Sequence, residues 1–197
     1  IPRNSASPSH SCQPMGDPAN LRLSQVYGGG GGANATYTHD FIEIFNAGSA
    51  PVSLDGLSLQ YASATGTGNF GASAAQLTEL PNVTLEAGQY FLVEQASGTN
   101  GVALPTPDYI DPTPIGMSAT NGKVALVTGT TTLGCNGGST PCNADQTARI
   151  IDLVGFGNAN FYEGTQAAPV LSSTLSAQRK QGGCQDTDQN GDDFDEL

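Results

Sequence analysis

Short apolar runs, each broken by turn-forming residues, constrain this chain more than any other feature. Gly, Pro, Asn or Asp interrupts every run before a helical pattern can develop, and the chain has 26 Gly and 12 Pro. These residues favour turns over continuous helices. Strands are predicted at 21–27, 40–46, 52–61, 89–95, 123–128, 150–154 and 174–180. Strands in this number without intervening helices predict an all-β fold, a two-sheet antiparallel β-sandwich.

Alternation within the runs predicts which side chains face the core. In the run 40–46, Ile42 and Ile44 share one face, while Glu43 lies on the other face with Phe41 and Phe45. This strand is therefore expected to be apolar on both faces around one charge. The turn at 46–49 and the short run after it predict consecutive antiparallel hairpins. The segment 71–80 is expected to form one short turn of helix before Pro81.

Composition divides the chain into three segments. Residues 1–20 are rich in Ser, Pro and Asn and are predicted to form an extended N-terminal arm. Residues 21–185 carry the predicted strands of a single sandwich domain, and residues 186–197 form an acidic C-terminal tail. A start at Ile1 without a leader sequence is typical of a processed, exported chain.

Charge excludes one class of function. The 18 acidic and 6 basic side chains give a net charge of -12. A chain of this charge does not neutralise a run of phosphates, so general binding to a nucleic-acid backbone is excluded. The sequence also lacks an apolar stretch of the roughly 20 residues that a membrane span needs, so membrane insertion is not expected. Proteins are the expected partners.

The four cysteines indicate a compartment where disulfides form. They allow three pairings. Cys135 and Cys142 flank the turn-forming segment 136–141, which makes a local bridge the simplest expectation. Cys12 would then pair with Cys184 and tie the two ends of the chain together.

A D-x-D-x-N-G pattern in the acidic tail resembles the start of a calcium loop, with oxygen ligands on alternate residues. Calcium is therefore the expected cofactor. At the twelfth position, where such a loop has a bidentate carboxylate, the chain has Leu197. The alternative interpretation of the same residues is an acidic loop exposed to solvent. The candidate ligands are Asp186, Asp188, Asn190, Asp192 and Asp193.

Candidates for catalysis are weak. His39 and Asp40 could belong to a Ser-His-Asp arrangement, but no nucleophile motif accompanies them. The glutamates are scattered, and the glycine run 28–32 is not followed by the Lys-Ser or Lys-Thr of a phosphate loop. No catalytic residues are predicted, and a non-catalytic module is favoured over an enzyme.

The chain contains the sequence blocks 23–27, 40–46, 51–56, 85–90, 124–127, 151–157, and 175–180 followed by 183–188. The order of these blocks resembles the bacterial lamin tail domains, which are immunoglobulin-like β-sandwiches. The resemblance spans about residues 21–194 and implies an exported module, often placed ahead of an endonuclease/exonuclease/phosphatase domain. Related sequences often have a cysteine near the 155–164 loop, where this chain reads Asn160-Phe161-Tyr162-Glu163. That departure favours Cys12 as the partner of Cys184.

Two functions of different classes follow. The first is a non-catalytic, exported structural or protein-interaction module at the bacterial cell surface or outside the cell, with a self-assembling filament subunit as its most specific form. There, the N-terminal arm could add a strand to a neighbouring sheet edge. The alternative is an accessory domain of a secreted nuclease or phosphatase.

Overall fold

The computed structural model describes residues 1–12 and 21–197. Within these ranges the helices α1 (Ala144–Thr147) and α2 (Asn190–Asp193) have one turn each, and short 3-10 turns lie at Ala74–Gln76 and Gln181–Gly183. No helix in the described part of the chain is long and apolar enough to cross a membrane. The strands are β1 (Leu21–Tyr27), β2 (His39–Asn46), β3 (Val52–Ser53), β4 (Leu57–Ala62), β5 (Leu77–Glu79), β6 (Thr84–Leu85), β7 (Tyr90–Ser97), β8 (Tyr109–Ile110), β9 (Gly122–Thr128), β10 (Ile150–Phe156), β11 (Ala177–Arg179) and β12 (Phe194–Glu196).

Two sheets pack face to face. The six-stranded sheet has the order β12-β11-β1-β2-β7-β8, and the four-stranded sheet has the order β10-β9-β4-β5. Neighbouring strands are antiparallel except for β7 and β8, and β3 pairs with β6 in a small separate sheet. The structure confirms the predicted all-β, immunoglobulin-like antiparallel sandwich.

Two predicted local features differ from the structure. The run 52–61 is two strands, because a turn at Asp55-Gly56, with Gly56 at φ 75°, separates β3 from β4. The predicted hairpin of 40–46 with the following run does not form, since β2 pairs with β1 and β7.

The segment 71–80 makes a single 3-10 turn and then joins the four-stranded sheet as β5.

The core between the sheets follows the predicted register of β2. Ile42 and Ile44 are buried in this core, whereas the ring of Phe41 stacks on Tyr27 and that of Phe45 stacks on Tyr90 in separate contacts. A bulge in β1 shifts the register after Leu23, so Leu21, Leu23 and then Val26 enter the core. The strand β2 is thus buried on both faces, as the sequence predicts.

A smaller core covers the outer face of the four-stranded sheet. The connection between β9 and β10 folds back over Ala125 and Val127 of β9. Lys123 lies beneath this layer, fully buried, and its Nζ donates to the carbonyl of Asn136 at 2.7 Å and to Oδ1 of Asn160 at 2.9 Å. Burial lowers the pKa of Lys123 to about 8. The lysine therefore anchors two loops to the strand.

Two disulfides close the fold. Cys135 pairs with Cys142 within the connection between β9 and β10, and Cys12 pairs with Cys184, 172 residues away. These are the two pairs that the sequence favours. The second one fixes the N-terminal segment to the turn that follows β11.

The two bridges should differ in their contribution to stability. Chain-entropy arguments give about 5 kcal/mol for the long loop closed by Cys12 and Cys184 and about 2 kcal/mol for the short one. Urea unfolding of the two double serine variants, C12S/C184S and C135S/C142S, measures this difference. A larger loss for C135S/C142S would contradict the entropic account.

Candidate functional site

A buried arginine organises the polar groups at one side of the sandwich. The side chain of Arg179, at the end of β11, has no solvent exposure. Its Nη2 contacts both carboxylate oxygens of Asp152 at 2.8 Å, and its Nη1 contacts Oδ1 of Asp186 at 3.0 Å. The guanidinium carbon lies 4.5 Å from the centre of the Phe194 ring. A buried guanidinium needs such compensation, because its desolvation is otherwise costly.

The same ion pair provides hydrogen-bond partners for the backbone of β1 at its bulge. The ladder from β1 to β11 runs only through Gln25 and Val26, so Leu23 lies beyond it. The N–H of Leu23 donates to Oδ2 of Asp152 at 2.6 Å, and its carbonyl accepts from Nε of Arg179 at 3.0 Å. The two side chains therefore satisfy backbone groups that would otherwise be buried without partners.

Residues of the predicted acidic tail are built into this region. Asp186 bridges Arg179 and Arg22, and its Oδ2 lies 3.0 Å from Nε of Arg22. Asp193 is fully buried and accepts from the N–H groups of Thr187 at 2.9 Å and Gln189 at 3.2 Å. Strand β12 then pairs with β11 at the edge of the six-stranded sheet. Residues 186–197 are thus part of the sandwich, because arginines pair with Asp186, β12 joins the sheet and Phe194 enters the core.

Asn190 closes an exposed strand edge. The strand β10 lies at the end of the four-stranded sheet. Nδ2 of Asn190 donates to the carbonyl of Leu153 at 2.9 Å, and its Oδ1 accepts from the N–H of Gly155 at 2.8 Å. This side chain makes the two bonds that a neighbouring strand would make.

The predicted calcium ligands therefore differ in their burial and in the hydrogen bonds that they already accept. Asn190 and Asp193 are fully buried and already accept hydrogen bonds from the protein, whereas Asp188 and Asp192 are exposed. Within residues 1–12 and 21–197, the metal-binding side chains that come together in a group of three are Glu163, Asp186 and Asp188, with oxygens within 4.8 Å of one another. Only two of these belong to the predicted set. The sequence missed Glu163 because it lies on a different loop.

Burial and neighbouring charges set the pKa of Glu163 in this group. Burial raises the pKa of Glu163 to about 9, and the nearby carboxylate of Asp152 adds to the rise. Burial likewise raises the pKa of Asp152, against the opposing attraction of Arg179. Carboxylate oxygens are the ligands that Ca²⁺ prefers. Calcium binding stays a prediction.

The N-terminal segment, residues 1–12, lies on the outer face of the six-stranded sheet. Nη2 of Arg3 contacts Oε1 of the fully buried Glu43 at 2.7 Å, and Nη1 donates to the hydroxyl of Tyr90 at 2.7 Å. The guanidinium carbon lies 3.8 Å from the centre of the Tyr90 ring. Further along, the N–H of Ser5 donates to Asp108 at 2.9 Å, and the N–H of His10 donates to the carbonyl of Gly88 at 2.8 Å. The described part of the predicted arm is docked on its own domain, and residues 13–20 lie outside the described residues.

The weak catalytic candidates do not come together. Asp40 accepts from the N–H groups of Gly30 and Met117, at 2.8 Å and 2.9 Å. Burial raises the pKa of Asp40 to about 6. Nε2 of His39 faces Glu94 at 3.5 Å rather than Asp40. The glycine run 28–32 thus serves as the close-packed connection from β1 to β2, fastened by Asp40.

Replacing Arg179 tests the buried cluster. The substitution Arg179→Met keeps much of the side-chain volume but leaves Asp152 buried without its cation. The free energy of unfolding should fall by about 3–5 kcal/mol. The matched control Lys180→Met, on the neighbouring partly exposed cation, should change it by about 0.5 kcal/mol or less. Equal effects of the two variants in urea unfolding would contradict this role.

Calcium titration tests the carboxylate group. Isothermal titration should show binding with a Kd of order 0.1–1 mM, the range of extracellular calcium modules. The change Asp188→Asn should weaken this binding, and Asp55→Asn, on an exposed acid of another turn, should leave it unchanged. Absence of heat together with a melting temperature insensitive to EDTA would rule the site out.

Comparisons with known proteins agree with this architecture. The family model of the lamin tail domain matches residues 14–156. The crystal structure of a DUF4876 family protein from Bacteroides thetaiotaomicron VPI-5482 is similar, with a TM-score of 0.54 and 14% identity over 90% of this chain and 70% of that one. No curated protein matches the chain. At this identity the structural likeness concerns the fold alone.

The family match begins before β1 and ends with the last residue of β10. It therefore contains the central strands of both sheets, including β2, β7, β4 and β9. Lamin tail domains are non-catalytic immunoglobulin-like modules, which agrees with the fold described above. On this match and this architecture, the chain belongs to the lamin tail domain family.

Proposed function

We propose that this chain is an exported protein-interaction module that associates with further copies of itself in an extracellular or surface structure. The observation that carries the proposal is the docking of the N-terminal segment on the sheet. Its side chains, and Arg3 above all, are bound in a groove made by distant parts of the chain. A surface that binds an extended segment through specific side chains is suited to protein recognition.

The disulfides support the exported location. Together the two bonds use all four cysteines of the chain. Such bonds persist in oxidising compartments. We therefore propose that the module acts outside the cytoplasm.

The net charge of -12 sets a condition for self-association. Copies of an acidic protein repel one another, and salt or bridging cations reduce this repulsion. Divalent cations bound to exposed acids such as Asp188 and Asp192 would both screen the repulsion and bridge neighbouring copies. Self-association should therefore depend on calcium or on ionic strength.

A second candidate function is an accessory domain of a secreted nuclease or phosphatase. It is supported by the resemblance to lamin tail domains that precede such enzymes. A reading frame that continues from Leu197 into a catalytic domain would favour it.

Sedimentation and electron microscopy of one purified sample test the main proposal. We expect large particles or filaments in millimolar calcium and smaller species in EDTA. A chloride control at matched ionic strength separates bridging by calcium from general screening. A monodisperse species of 20.1 kDa in every buffer would overturn self-association.

A further inference from the structure

The groove that holds the N-terminal segment is made by residues remote from it in sequence. We call it the N-terminal groove and define it by the side chains of Ser24, Glu43, Tyr90 and Asp108 and the carbonyls of Thr106 and Gly182. Contacts of Arg3 with Glu43 and Tyr90 join positions 40 and 87 residues apart, and that with the carbonyl of Gly182 joins positions 179 apart. No contact in the groove depends on which chain supplies the segment.

Recognition in this groove is specific because Glu43 is buried. Its carboxylate has no solvent exposure, and it is contacted by the guanidinium of Arg3 and by the hydroxyl of Ser24 at 2.6 Å. An occupant without a cation at this point would leave a buried charge without a counterion, which is strongly unfavourable. The planar guanidinium also stacks on Tyr90, which an ammonium would do less well. The occupant must therefore place an arginine here.

The sheet edges offer less to a partner than this groove does. Asn190 occupies part of the edge of β10, while the edge strands β8 and β12 have two and three residues. Strand addition, the expected mode for the N-terminal arm, therefore has little backbone to use at these edges. The groove instead binds its segment through side chains, with matching charges at Arg3–Glu43 and polar bonds at Ser5–Asp108.

We propose that the N-terminal groove is the docking site for residues 1–12 of a second copy of this chain. Copies would exchange N-terminal segments, with the Arg3 of one copy paired to the Glu43 of another. This inference rests on the proposed function and names the surface through which the copies associate. A reciprocal exchange gives a closed dimer, and a head-to-tail exchange gives an open filament.

A disulfide between Cys12 of one copy and Cys184 of another would link the exchanged copies covalently. When the segment of one copy lies in the groove of another, its Cys12 lies next to the Cys184 of that second copy, as it does within one chain at a Cα separation of 5.4 Å. Oxidised glutathione can close this bond: the two thiols give up two electrons and two protons, and one glutathione disulfide becomes two glutathione thiols.

The experiment uses the full chain in two isotopic forms. Equal amounts of unlabelled and ¹⁵N-labelled protein are reduced, unfolded and refolded together with oxidised glutathione at low and at high protein concentration. Peptides containing the Cys12–Cys184 bond are then weighed by mass spectrometry. Exchange predicts hybrid peptides, one half labelled, that rise with protein concentration toward half of the total. Only homogeneous peptides at every concentration would overturn the proposal.

Arginine variants separate specific docking from random oxidation. In a mixture of Arg3→Glu and Glu43→Arg chains, a segment in its own groove meets a like charge, whereas a segment in the groove of the other variant meets an opposite charge. The hybrid fraction of this mixture should therefore rise above the half that random pairing gives. Arg149→Ala, on a basic residue of another loop, should behave as the unchanged chain. A hybrid fraction that is no higher in this mixture than in the unchanged chain would overturn the proposal even if hybrids form. Circular dichroism of each variant confirms that it has folded.

The result also separates the two proposals. If large particles form in calcium while every Cys12–Cys184 peptide is homogeneous, the chain self-associates through another surface, and only the segment exchange fails. If neither particles nor hybrids form, self-association itself fails.

Discussion

The pairing of Arg179 with Asp152 is the interaction on which the rest of this sandwich depends. It joins β11 of one sheet to β10 of the other and supplies the missing hydrogen bonds at the bulge of β1. The bulge in turn sets the register that sends Val26 into the core. A buried ion pair is not by itself a large source of stability. Here it matters because backbone groups of a core strand would lack partners without it.

The same principle governs both ends of the chain. Each end is poor in apolar residues, and each is held by pairs between arginine and carboxylate side chains. At the start of the chain Arg3 of the N-terminal segment meets Glu43, while near the end Asp186 meets Arg22 and Arg179. Charge pairing therefore extends the fold beyond the part that hydrophobic burial alone would order.

This explains which features could be predicted from the sequence. Strands such as β2 and β9 follow from their own short apolar runs, as does the burial of Phe41 and Phe45 beside Glu43. The structure of residues 186–197 could not be predicted, because an acidic run is solvated unless distant arginines meet it. The role of Lys123 was also missed, although its position on the same face as Ala125 and Val127 is a signal that it is covered. The group at Glu163 depends on loop geometry that no local pattern encodes.

The placement of the basic residues has a consequence for resistance to proteolysis. Of the 6 lysines and arginines in the chain, Arg22, Lys123 and Arg179 are buried, and Arg3 is bound in the N-terminal groove. Trypsin-like proteases need an accessible basic side chain, and Arg149 and Lys180 are the two that remain nearer the surface. By using its few cations inside the fold, the module presents such enzymes with a surface that contains almost nothing for them to cleave.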